Sequence, residues 1–81
     1  MRAVADIPHP SLKITLLAWN SKYLIKFEKG DFEQTYKIRE MDVMGDEGAK
    51  ALIDDDFIEA VEHRFLAMRD AFVSTMRRHN K

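Results

Sequence analysis

Leu12-Lys13-Ile14-Thr15-Leu16-Leu17-Ala18-Trp19, Asn20-Ser21 and Lys22-Tyr23-Leu24-Ile25-Lys26-Phe27 form the stretch whose reading decides the fold. Leu12, Ile14, Leu16 and Ala18 alternate with Lys13, Thr15, Leu17 and Trp19, the period-2 pattern of a strand with one core face. Asn20-Ser21 supplies a turn, and Tyr23, Ile25 and Phe27 continue the apolar set on a second strand. A two-residue loop at Asn20-Ser21 sets Ala18 opposite Tyr23, Leu16 opposite Ile25 and Ile14 opposite Phe27. Thr15 then meets Lys26 and Lys13 meets Glu28 on the other face. A slip of one residue would turn the apolar set to solvent, so the register is strongly specified.

Working outward, Lys29-Gly30 reads as the next turn and Phe32, Tyr36 and Ile38 as the core face of a third strand. This pairs Phe27 with Phe32, Tyr23 with Tyr36 and Lys26 with Glu33. Gln34 falls inside, opposite Ile25, where a bulge or an edge position would accommodate it. Before the meander, Ile7-Pro8-His9-Pro10 is extended because each Pro excludes the helical region for the residue preceding it. Residues 1–11 are therefore expected to form an extended N-terminal arm, with the meander over 12–41.

Beyond Gly45 the period changes. Asp46-Glu47 can charge the start of a short helix over 46–53, and Asp56 with Glu59 makes a capping-box pattern that opens a long helix over 56–78. At 100° per residue, Phe57, Ile58, Val61, Phe65, Met68, Phe72 and Met76 fall in an arc of roughly 100°, the stripe of a helix lying on a sheet. Such a helix is ~34 Å long, against ~27 Å for strands of about eight residues. Its last turns should overhang.

The 81 residues have a mass of 9.5 kDa, and they fit one domain. Folded compactly, a chain of this mass keeps roughly 5,000 Å² of surface and gains only a thin stability margin from its core. With no Cys, the chain has no disulfide, thiol nucleophile or Cys-based zinc site. Ala3-Val4-Ala5-Asp6-Ile7 is too short and too interrupted for a signal peptide, and Leu16-Leu17-Ala18-Trp19 is far below the ~18 residues of a membrane span. A cytoplasmic location is expected.

The net charge of −1 conceals a segregation. Residues 1–39 hold seven Lys or Arg against four acids, residues 40–62 hold nine acids against Lys50, and residues 63–81 hold five bases against Asp70. The long helix is acidic at its start and basic at its end, which complements its dipole.

Several residues are candidates for chemistry. Asp55, Glu59 and His63 form one ridge at i, i+4 and i+8, but three ligands on one exposed helix rarely close a metal site, and helical ion pairing is the simpler reading. His9 and His79 show no partner in sequence. Gly45-Asp46-Glu47-Gly48 has the spacing of a glycine-rich loop, yet its acidic centre would repel phosphate. No catalytic, cofactor-binding or metal-binding residue is expected.

The outer sheet face is more informative. It carries Leu17, Trp19 and Leu24 with Lys22, Lys37 and Arg39 near the same end. Three occupants suit it: another subunit over the apolar patch, RNA or single-stranded DNA on Trp19, Lys22, Lys37 and Arg39, or the N-terminal arm. Leu66 and Val73, one heptad apart and off the core arc, add a second apolar stripe, and the overhanging Met76 a third feature. The order strand, strand, strand, helix is similar to the second part of the double-stranded-RNA-binding domain. That family carries a basic cluster where this chain has Gly45-Asp46-Glu47-Gly48-Ala49-Lys50, and it has an N-terminal helix with no counterpart here, so the homology is rejected. The expectation is an α+β (βββα) non-enzymatic interaction domain, pairing with itself as a homodimer or with another protein through Leu17, Trp19, Leu24, Leu66, Val73 and Met76. Nucleic-acid binding on the outer sheet face is the alternative.

Overall fold

The computed structural model describes residues 1–80. Strands β1 (Arg2–Ile7), β2 (Lys13–Trp19), β3 (Lys22–Lys29) and β4 (Phe32–Arg39) form one antiparallel sheet in the order β1-β2-β3-β4. A 3₁₀ turn (Glu40–Asp42), helix α1 (Gly45–Ala51) and helix α2 (Asp55–His79) follow. The class is α+β with an antiparallel meander, as expected, but the sheet has four strands and not three.

The added strand is the segment expected to be a free arm. It pairs with β2 through Arg2↔Ala18, Ala3↔Leu17, Ala5↔Leu16, Asp6↔Thr15 and Ile7↔Ile14, with a register shift between Ala3 and Ala5. The bulge inserts Val4 as an extra residue, which breaks the alternation that would have marked a strand.

The β2–β3 register is the expected one, from Lys13↔Glu28 to Trp19↔Lys22. Its loop holds Asn20 at φ 53° and Ser21 at φ 61°, the positive values that a two-residue I′ hairpin demands at both positions. The β3–β4 hairpin differs by two residues. It turns at Gly30-Asp31 with Gly30 at φ 58°, so Phe27 faces Gln34, Ile25 faces Tyr36 and Tyr23 faces Ile38. Gly30 takes the first loop position, where its missing Cβ removes the cost of positive φ. A shift of two preserves every face, so the core set survives the correction.

Both helices lie on one side of the sheet. Leu12, Ile14, Leu16, Tyr23, Ile25 and Phe27 are buried with Ala49 of α1 and with Val61 and Phe65 of α2. Phe27 sits at the centre, edge-on to Tyr36 and Phe57 at centroid distances of 6.1 and 5.1 Å. Helix α2 begins one residue earlier than expected, because Asp54 and not Asp56 caps it: the Asp54 carboxylate accepts from the Phe57 amide at 2.8 Å. Phe57 lies near Tyr36 and Phe72 against Phe32, so α2 runs antiparallel to β4.

At 25 residues, α2 is ~37 Å long and outruns strands of ~27 Å. Phe72, assigned to the core stripe, is 52 % exposed because only Phe32, the terminal residue of β4, lies against it, and Met76, one turn further along, is 46 % exposed.

Candidate interaction surfaces

The outer sheet face is built by the strand register. Leu17 and Leu24 are directly opposed, with Ala3 and Lys37 flanking them in the same row. The neighbouring row reads Trp19, Lys22, Arg39. Sequence reasoning thus brought Leu17, Trp19, Leu24, Lys22, Lys37 and Arg39 to one place, and the structure groups them there. Trp19 is 53 % exposed, and Leu17 and Leu24 are half-buried by their strand neighbours. The expected alternative cover, the N-terminal segment, is ruled out: β1 lies in the plane of the sheet beside β2.

The far end of this face is acidic. Lys26 Nζ lies 3.3 Å from Glu28 Oε1 and 3.6 Å from Glu33 Oε1, and these carboxylates raise the Lys26 pKa, the Glu28 hydrogen bond most of all. The basic row is at the opposite edge, where a shallow depression of about 510 Å³ is lined by Asn20, Ser21, Lys22, Arg39, Glu40 and Met41. Met41, which lines it, and Met44 further along the chain are both highly exposed, and sequence periodicity gave no reason to single them out.

The second surface is on α2. Leu66 is 54 % exposed, as expected, while Val73 is half-buried among the polar side chains of its own helix. Leu66, with Phe32, Phe65 and Arg69, lines a groove of about 250 Å³ between the Gly30-Asp31 turn and the helix.

The metal-type ridge behaves as a helical surface. His63 Nε2 is 3.9 Å from Glu59 Oε1, both are highly exposed, and among the described residues no group of three or more His, Asp or Glu is placed to hold a metal ion. No helix among them is long and apolar enough to cross a membrane.

Two polar anchors were missed from sequence, and both are structural. Asp46 accepts both terminal nitrogens of Arg2 at 3.1 and 3.3 Å and the Tyr23 hydroxyl at 2.7 Å, which ties α1 to β1 and β3. Arg2 and then Tyr23 hold the Asp46 carboxyl below its ordinary range. His9 Nδ1 accepts from the Ser11 and Leu12 amides at 3.2 and 3.1 Å, and its Nε2 faces Glu62 of α2 at 3.5 Å. The first anchor spans 44 residues of sequence, so no local signal announces it; the second is a local turn about His9 whose link to Glu62 of α2 only the folded chain makes. Compared with known proteins, the chain matches no family model, and no curated sequence or solved structure shows significant similarity to it.

Proposed function

We propose that this chain is a non-enzymatic interaction module that associates with a second copy of itself. The carrying observation is surface area. The chain exposes 5970 Å², whereas a compact monomer of this mass keeps roughly 5,000 Å². The excess reflects a shape drawn out to 50 × 25 × 18 Å, and a second copy laid against the extended part would bury some of it. The exposed surface includes large apolar side chains, among them Trp19, Leu66, Phe72 and Met76, which are costly to leave in water and favourable to bury. Sedimentation equilibrium across a micromolar concentration series tests the reading. The expected mass moves from 9.5 kDa towards twice that value; a mass fixed at the monomer value up to high micromolar overturns it.

A second reading has one observation in its favour, the row of Trp19, Lys22 and Arg39 beside Lys37. An exposed indole flanked by cations suits single-stranded nucleic acid, with bases stacking and phosphates paired. It predicts salt-sensitive quenching of the single Trp by an oligonucleotide. Unchanged fluorescence at low salt removes it.

A further inference from the structure

The charge order of α2 identifies how two copies meet. We infer that α2 is self-complementary and pairs antiparallel with α2 of a second copy, about a two-fold axis passing between Arg69 and Asp70. This inference rests on the self-association proposed above and adds its surface and orientation.

At 100° per residue, Glu62, Leu66, Arg69, Asp70, Val73 and Arg77 occupy one flank of α2, bordering the arc that holds the buried Val61 and Phe65. Glu62 already accepts from Ser11 and faces His9 of its own chain, and Leu66 and Arg69 line the groove beside the Gly30-Asp31 turn. With the axis between residues 69 and 70, each flank residue meets a suitable group on the other helix. Leu66 meets the partner's Val73, Glu62 meets the partner's Arg77, and Arg69 and Asp70 flank the seam on either side of the axis, so that the two copies bring two cations and two carboxylates together there. Two-fold symmetry repeats each pair. One register therefore satisfies an apolar pair, an opposite-charge pair and a charge-balanced cluster at the axis together. Glu59 falls beside the same basic end, which continues into Arg78 and His79.

The parallel arrangement is disfavoured by the same residues. It would set Glu62 against Glu62 and Arg77 against Arg77, and like charges juxtaposed across an interface suppress the wrong pairing. The antiparallel one also follows each helix's dipole, placing the positive end of one beside the negative end of the other.

The geometry further accounts for the overhang. Val73 and Arg77 lie on the part of α2 beyond the sheet, whereas Glu62 and Leu66 lie over or beside it, next to Ser11 and to the Gly30-Asp31 turn respectively. Antiparallel pairing about residues 69 and 70 lays the unsupported half of each helix along the supported half of the other. The exposed Phe72 and Met76 then come to the end of the partner's sheet, where they lose water.

The absence of Cys in the chain makes the test clean. Leu66→Cys and Val73→Cys are prepared as separate full-length variants and oxidised singly and mixed, with wild-type oligomeric state measured alongside. The expected result is a dimer in which the mixture forms a disulfide from position 66 of one chain to position 73 of the other. Each variant alone should form little, since a disulfide requires Cα atoms within ~7 Å. Arg77→Glu, on an exposed residue outside the core, should weaken the dimer several-fold. A dimer whose mixed variants do not cross-link, or whose Leu66→Cys variant cross-links with itself, overturns the antiparallel helix pairing while leaving self-association intact. A strictly monomeric wild type overturns both.

Discussion

Gln34 Nε2 donates to the backbone carbonyl of Val61 at 3.0 Å, and Gln34 Oε1 accepts from the Tyr36 hydroxyl at 2.7 Å. A polar side chain on the core face of edge strand β4 thus fastens the sheet to the middle of α2, and both ends of its amide are used. Replacing Gln34 with Ala should cost about 1–2 kcal/mol, because the Tyr36 hydroxyl loses its acceptor in a half-buried site. Gln34→Glu should cost more at pH 7 than at pH 4, since the ionised carboxylate faces a carbonyl and only the protonated acid can donate to it. Urea unfolding at the two pH values checks both.

His9 secures the β1–β2 connection through one ring nitrogen. Because Nδ1 accepts from two backbone amides, the neutral ring carries its proton on Nε2, towards Glu62. His9→Ala should destabilise the chain by about 1–2 kcal/mol, and His9→Asn should recover part of that, since an Asn side-chain oxygen can accept from the amide two residues on. Thermal melts of the three proteins would rank them wild type, Asn, Ala.

Asp46 predicts the pH profile. Its folded carboxyl titrates below its ordinary value owing to Arg2 and Tyr23, so the stabilisation is complete above the unfolded carboxyl range of ~4 and is lost as pH falls through the folded value. Tyr23 has the opposite sense. Its hydrogen bond to Asp46, followed by burial, raises its pKa above the ordinary 10.0, so that contribution is complete below pH ~10 and is lost as pH rises through the folded value. Asp46→Asn should flatten both limbs, which urea midpoints measured from pH ~3 to ~11 would reveal.

Ser21 occupies the left-handed region at φ 61°, a conformation that costs L-residues roughly 1–2 kcal/mol. Ser21→Gly should stabilise the β2–β3 hairpin by about 0.5–1 kcal/mol, the steric relief being partly offset by the greater entropy of an unfolded glycine. Gly30→Ala at φ 58° should do the reverse by a similar amount. Chemical denaturation of the two variants tests the opposite signs.

The parts of the fold legible in the sequence are those where the physics is local. Alternation from Leu12 to Phe27 specified two strands, their faces and their register, because Asn20 and Ser21 close the shortest hairpin and a slip would expose Ile14, Leu16 and Ile25. The 3.6-residue period specified α2 and its buried Val61 and Phe65. For β1 the period-2 signal was erased by the bulge at Val4. For β4, Gly30 could serve either position of a two-residue loop, and faces alone cannot separate registers that differ by two. The grouping of Trp19, Lys22, Lys37 and Arg39 was legible because it needed only face and end, both insensitive to that shift.

By itself, then, the sequence determined the secondary structure that carries its own period, the division of each strand into an inner and an outer face, and the acid-to-base order along α2. Tertiary structure alone decided that β1 joins the sheet edge and leaves the outer face uncovered. It also decided that Asp46 receives Arg2 and Tyr23, that Gln34 reaches the Val61 carbonyl, and that Phe72 meets only the last residue of the sheet, Phe32. The physical reason is range. Periodicity and turn sterics act between neighbours in the chain, whereas strand addition, helix docking and overhang depend on groups far apart in sequence, which only the folded chain brings together.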